Sequence, residues 1–146
     1  MKQPNRILIV EDKAVDADLA KHTIRKVLKD CEFQVVETSE AFLTALQIFQ
    51  PEVILSDYSL PRFDGMKALR LALNHAPPTP LIIWTGSIGE DVAVECMKAG
   101  ANNYVLKENI KRLAPAVIHA LEERQLFSNG SMQKKSSKIM RNASAP

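Results

Sequence analysis

Short, nearly uninterrupted apolar runs alternate along this chain with longer stretches of mixed hydrophobic and polar residues. The runs predict strands at Arg6–Val10, Phe33–Glu37, Val53–Ser56, Leu81–Trp84 and Asn103–Leu106. The stretches between them carry helical spacing near Ala14–Lys29, Ala41–Phe49, Gly65–Asn74, Glu90–Ala99 and Lys111–Leu126. Strands one, three, four and five are almost wholly Val, Ile and Leu, as expected when helices cover both faces of a parallel sheet. Strand followed by helix, five times over, implies an α/β, doubly wound parallel sheet with right-handed crossovers. The expected strand order is 2-1-3-4-5, with a crevice where the order reverses, between strands one and three. Local punctuation agrees: Ser39 and Asp64 are placed to cap helix starts, and Gly100 to end one. Asn109 could cap the last helix, but Pro115 would then stand in its interior. A short turn over Asn109–Arg112 and a regular helix from near Pro115, or a kink there, is expected instead.

Four of the apolar runs end in a functional group. Glu11 and Asp12 follow RILIV, Asp57 follows EVILS, Thr85 follows LIIW and Lys107 follows NYVL. In one parallel sheet those ends share an edge, and open α/β sheets gather their chemistry there. Three carboxylates brought together repel one another, and a divalent cation removes that repulsion. Mg²⁺ suits oxygen ligands at about 2.0–2.1 Å and keeps several waters, so Glu11, Asp12 and Asp57 with the backbone carbonyl of Ser59 suffice. Asp57 is the candidate nucleophile, since a carboxylate can attack phosphorus to form an acyl phosphate. Lys107 supplies a mobile positive charge for a phosphoryl oxygen, and Gly86 after Thr85 leaves room against the backbone. Taken singly, Asp12 could be a helix cap, Thr85 a hydroxyl serving the backbone and Lys107 a surface lysine. Their joint placement at strand ends makes a phosphoryl-transfer site.

Size and charge narrow the function classes. With 146 residues and 46% hydrophobic content, the chain makes one domain with a real core. No apolar run approaches the roughly 18 residues of a membrane span, and MKQPNRILIVEDK lacks a signal-peptide layout. A cytoplasmic location is expected. Cys31 and Cys96 fit no metal spacing and are read as reduced thiols in or near the core. The net charge of +2 conceals a split. All seventeen acids precede Phe127, whereas Lys134, Lys135, Lys138 and Arg141 stand in a stretch without acids. Residues 1–127 are thus expected to be a slightly acidic domain, and residues 128–146 a basic, disordered tail. Neither part argues for direct DNA binding or for a membrane, and the tail is too short for an output module.

At this point the residues carry a family resemblance. Glu11–Asp12, Asp57, Thr85, Tyr104 and Lys107, with D-Y-S-L-P-x-x-D-G-M from Asp57 to Met66 and M-K-A-G-A from Met97 to Ala101, resemble the receiver domain of two-component response regulators. The resemblance spans about residues 5–126 and implies a flavodoxin-like fold with five strands and five helices. It implies that Asp57 takes a phosphoryl group from a histidine kinase or a histidine phosphotransfer protein, with Mg²⁺ as cofactor. Thr85 would then hydrogen-bond the phosphoryl group and Tyr104 would turn inward as the switch aromatic. The output surface would be the helix near Glu90–Ala99, the fifth strand and the last helix. That surface would meet a downstream protein and is a candidate face for a homodimer.

Departures from the family pattern qualify the picture. Many receivers have proline after the lysine, whereas Glu108 stands here and leaves the usual cis peptide open. Ser59 and Ser87, two residues past Asp57 and Thr85, are neither acidic nor amide-bearing, so slow self-dephosphorylation is expected. No turnover of an external substrate is expected. His22, His75 and His119 are read as surface or boundary positions, and Trp84 as a core residue near enough to report on the site. Two alternatives remain. An Mg²⁺-dependent aspartyl-nucleophile phosphohydrolase would carry a second acid where Ser59 stands. A receiver-like binding module without phosphorylation would not need the complete acid, Asp, Thr and Lys set. The absence of G-x-x-x-x-G-K-[ST] excludes a P-loop nucleotidase.

Overall fold

The computed structural model describes residues 4–59, 63–86 and 89–128. Five strands, β1 (Asn5–Val10), β2 (Cys31–Val36), β3 (Val53–Ser56), β4 (Leu81–Thr85) and β5 (Asn103–Leu106), form one parallel sheet in the order β2-β1-β3-β4-β5. Five helices connect and cover it: α1 (Ala14–Arg25), α2 (Ser39–Ile48), α3 (Gly65–His75), α4 (Glu90–Ala99) and α5 (Leu113–Ser128). This is the flavodoxin-like arrangement that the strand–helix alternation predicts.

The period-two geometry of a strand divides the core into two layers. Leu8, Val10, Ile54, Leu81 and Ile83 face α2, α3 and α4, where they pack with Phe42, Phe63, Leu69 and Cys96. Ile7, Ile9, Val53, Leu55, Ile82, Trp84 and Val105 face α1 and α5, against Ala17, Ala20, Ile24, Leu113 and Val117. Trp84, 1% exposed, is among the largest buried side chains, as expected. Phe42 and Phe63 meet with ring centroids 5.4 Å apart and planes tilted by 54°, a favoured aromatic arrangement. Cys96 is buried and Cys31 half-buried, both as free thiols. His22, His75 and His119 are exposed.

Element ends differ from expectation where polar residues blur the pattern. β2 begins at Cys31, two residues early, because this edge strand pairs with β1 from Asn5↔Cys31 onward, Glu32 and Gln34 notwithstanding. α1 ends at Arg25 rather than Lys29; Val27 and Leu28 bond back to the Ile24 carbonyl in a tightening turn. Thr38, not Ser39, caps α2, its Oγ1 accepting from the Ala41 N–H at 3.1 Å. Asp64 caps α3 as expected, Oδ1 accepting from the Lys67 N–H at 2.8 Å. Gly100 ends α4 with φ 124°, a conformation that costs glycine little.

The Pro115 question resolves through a 3₁₀ segment over Lys107–Arg112, interrupted at Asn109 (φ −101°, ψ 54°). α5 then starts at Leu113 and Pro115 falls in its first turn, where the N–H has no intrahelical partner to lose. Among the described residues no peptide bond is cis, so the one between Lys107 and Glu108 is trans. α5 continues through Ser128, one residue into the stretch expected to be tail. The remaining tail residues, 129–146, lie outside the described residues, as does Ser87. Among the described residues, no helix is long and apolar enough to cross a membrane.

Candidate functional site

The sheet order brings the C-terminal ends of β1 and β3 side by side, with Val10 paired to Ser56. Backbone bonds carry the pairing just past the strands: the Asp57 N–H donates to the Val10 carbonyl (3.0 Å), and the Glu11 N–H to that of Val36 (3.0 Å). Glu11 and Asp57 are consequently held where the strand order reverses. Both are buried, at 2% and 5% exposure, while Asp12 is half-buried at the rim. Each of the three can offer one oxygen to a common point, the oxygens lying within 4.8 Å of one another. Hard oxygen donors so grouped can hold a divalent cation.

Lys107, the first residue after β5, reaches across β4 into this group. Its Nζ donates to Glu11 Oε1 (2.7 Å), Asp57 Oδ2 (3.0 Å) and Asp16 Oδ2 (2.7 Å). The ammonium also stands 5.1 Å from the centre of the Trp84 ring. Burial alone would weaken its charge, but the bonds to Asp16, Glu11 and Asp57 outweigh that and hold its pKa above the ordinary lysine range. Glu11 moves the other way from a free carboxylate. Burial pushes its pKa above the ordinary 4.5, opposed by the Lys107 bond and reinforced by the nearby Asp57 charge.

Of the residues singled out in the sequence, Glu11, Asp12, Asp57 and Lys107 converge directly. Thr85 ends β4, buried at 1%, on the strand next to the one that leads into Asp57. Tyr104 pairs with Ile83 across β4 and β5 and packs, half-buried, on the α2–α4 layer. By strand alternation Ile83 and Thr85 share that face, so Tyr104 and Thr85 belong to one side of the sheet. Ser59 is exposed, and its N–H donates to Asp57 Oδ1 at 3.2 Å. Gly65 keeps this loop close. A Cβ there would come within 2.7 Å of the Tyr58 Cα and 3.1 Å of the Asp57 carbonyl oxygen, so only glycine lets α3 begin so near. Residues 60–62 of the D-Y-S-L-P-x-x-D-G-M pattern lie outside the described residues.

A response regulator receiver domain model matches residues 7–118, most of the chain. The chain belongs to the response regulator receiver family. Its relatives include the regulatory protein AtoC of Escherichia coli, 37% identical over 109 residues; the match takes in 70% of this chain and 22% of AtoC. The chemotaxis protein CheY of Listeria monocytogenes is 27% identical over 121 residues, 81% of this chain and 96% of CheY. Among solved structures, a CheY-like receiver domain protein from Methanospirillum hungatei superposes with a TM-score of 0.75 at 26% identity, covering 84% of this chain and 98% of that one. Receiver domains are signalling switches of two-component systems.

One charged member escaped the sequence reading. Asp16 stands three residues into α1, where an acid is ordinarily credited to the helix dipole. The available signal was its distance from Glu11: five residues on, past the tight bend at Asp12–Lys13, a first-turn side chain can point back over the strand end.

Proposed function

We propose that this receiver is a phosphorylation-operated switch that accepts a phosphoryl group on Asp57 from a histidine kinase or a histidine phosphotransfer protein. The observation that carries this reading is the seating of Asp57. Its buried carboxylate is one of a group of three, with Glu11 and Asp12, and lies 3.0 Å from the Lys107 ammonium. In the transfer step an Asp57 oxygen bonds to phosphorus as the bond from phosphorus to the donor's leaving atom breaks. The leaving group keeps the electron pair. Lys107 receives one phosphoryl oxygen, and Thr85 donates its hydroxyl to another. Glu11, Asp12, Asp57 and the carbonyl of Ser59 would hold Mg²⁺, which supplies charge neutralisation for the incoming anion. Such a step needs positioning and charge more than any further chemistry.

Thr85, drawn toward the phosphoryl group, would vacate space on the α4 side of the sheet, and Tyr104 would turn into it. The consequence is a changed α4-β5-α5 surface for a downstream protein, or for a second copy of this chain. That is a local charge event read by a two-state element. The receiver, residues 1–127 with the basic segment 128–146 after it, would work in the cytoplasm without turning over an external substrate. Ser59 offers neither carboxylate nor amide to orient water, so the phosphoryl group should be lost slowly. A half-life of seconds in the purified protein would contradict that.

The deciding experiment incubates the protein with Mg²⁺ and acetyl phosphate and weighs it by mass spectrometry. A single added phosphoryl group is expected. A folded protein with no adduct would favour a binding module, and steady hydrolysis of unrelated phosphate esters would favour a phosphohydrolase.

Mg²⁺ binding should also carry the imprint of Glu11. Protons and metal compete for the same carboxylate, and the pKa of Glu11 is raised above 4.5. Affinity should therefore begin to fall, as pH decreases, at a higher pH than an ordinary carboxylate ligand would give. Titrations followed by Trp84 fluorescence from about pH 8 to about pH 4 would measure it. An affinity that stays flat until about pH 4.5 would contradict the assignment of Glu11 as a ligand.

A further inference from the structure

An ammonium has three N–H donors, and at Lys107 each has its own carboxylate: Glu11, Asp57 and Asp16. These partners are not equivalent. Glu11 and Asp57 belong to the group of oxygens that can meet at a cation, and Asp16 does not. A cation held there draws on the first two and leaves the third alone. Asp16 also sits differently, its side chain 25% exposed against 0% for Glu11 and 7% for Asp57. It approaches Lys107 from the first turn of α1, from the solvent side. Beneath the ammonium lies the Trp84 ring, which attracts the charge but accepts no conventional hydrogen bond.

We propose that Asp16 is a positioning residue for phosphoryl transfer, holding the Lys107 ammonium over Asp57 whether or not a cation and a phosphoryl group are bound. This rests on the reading of Asp57 as the acceptor. Lysine is a point charge on a flexible four-carbon stem, and keeping its head in one place works against its rotamer entropy. When phosphorus bonds to Asp57, the N–H directed at Asp57 turns to a phosphoryl oxygen. The bond to Asp16 persists through that change and keeps the donor aimed. The same carboxylate also restrains Lys107 from swinging out to water when the pocket is empty.

The test measures the rate of adduct formation on the full chain with Mg²⁺ at varied acetyl phosphate. The reaction forms the Asp57 oxygen–phosphorus bond, breaks the phosphorus–oxygen bond to the acetyl group and releases acetate with the electron pair. Asp16→Ala should lower the saturating rate about tenfold, the loss of one charge-assisted hydrogen bond of about 1.5 kcal/mol. The donor concentration at half-saturation should stay within about twofold, because the bond positions the lysine rather than binding the donor. Asp16→Asn loses the charge but keeps an acceptor oxygen, so it should fall between wild type and Asp16→Ala. Mg²⁺ affinity, read by Trp84 fluorescence, should stay within about threefold in both variants, since a rim charge outside the ligand group acts only through screened Coulomb attraction. Equal rates in wild type and Asp16→Ala would overturn the proposal. Equal rates in the two variants would also overturn it, leaving charge rather than positioning as the cause. A collapse of Mg²⁺ affinity would make Asp16 a ligand instead. If wild type itself forms no adduct, it is the acceptor reading that fails.

Discussion

Asp57→Asn is expected to abolish the phosphoryl adduct while leaving the fold intact and no less stable in Mg²⁺-free buffer. The first half follows from chemistry: an amide oxygen is a far weaker nucleophile than a carboxylate and gives no stable acyl phosphate. The second half follows from charge. Glu11, Asp12, Asp16 and Asp57 crowd one strand edge with Lys107 as the cation bonded among them. Removing one of four negative charges relieves repulsion, and the amide oxygen can still accept from Lys107 or from the Ser59 N–H. Denaturant unfolding without Mg²⁺ checks stability, and the mass of the acetyl phosphate-treated protein checks the adduct. An adduct surviving in Asp57→Asn would move the acceptor elsewhere. A loss of more than about 2 kcal/mol would mean that the Asp57 charge supports the fold rather than straining it, the reverse of the repulsion argument.

The opposite sign is expected for Lys107→Ala. This change removes the cation bonded to three carboxylates and leaves Glu11, whose side chain is fully buried, without its described ion-pair partner. Breaking a buried pair by deleting one partner typically costs about 3–5 kcal/mol, and the part-exposed rim here favours the lower end. Because the pKa of Lys107 is raised, its contribution is fully present below about 10.5, the ordinary lysine value. It fades only as pH climbs through the higher folded-state value. Saturating Mg²⁺ should recover part of the loss, since it neutralises the carboxylates and binds the folded state alone. Unfolding curves with and without Mg²⁺ would show it. A variant as stable as wild type in Mg²⁺-free buffer would contradict the electrostatic account of the pocket. Adduct formation should slow in the same variant, with Mg²⁺ present to keep the protein folded.

The sequence disclosed the sheet because four of its strands are apolar on both faces, a pattern that few other elements share. β2 was harder to bound, since an edge strand with Glu32 and Gln34 carries its polar residues at positions that also suit a loop. The start of α5 was legible only as a conflict between Asn109 and Pro115. Its solution, a 3₁₀ turn that leaves the proline in the first helical turn, depends on backbone geometry that composition does not encode. In the pocket, strand ends were readable because topology alone brings them together. Asp16 was not, because a helix residue reaches a site through the pitch and tilt of its helix. Those are set by how Ala17, Ala20 and Ile24 pack on the sheet.

The alternation of β4 carries a consequence for how a signal would leave the pocket. Trp84 and Thr85 are neighbours in sequence yet belong to opposite layers, one bedded against α1 and α5 beneath the lysine, the other on the α4 side with Tyr104. The sheet between them acts as a partition. The hydroxyl borders one compartment and the ammonium the other. On the proposed reading, one phosphoryl group would therefore touch both layers of the core at once, through Thr85 on the α4 side and through Lys107 and Trp84 on the α1–α5 side.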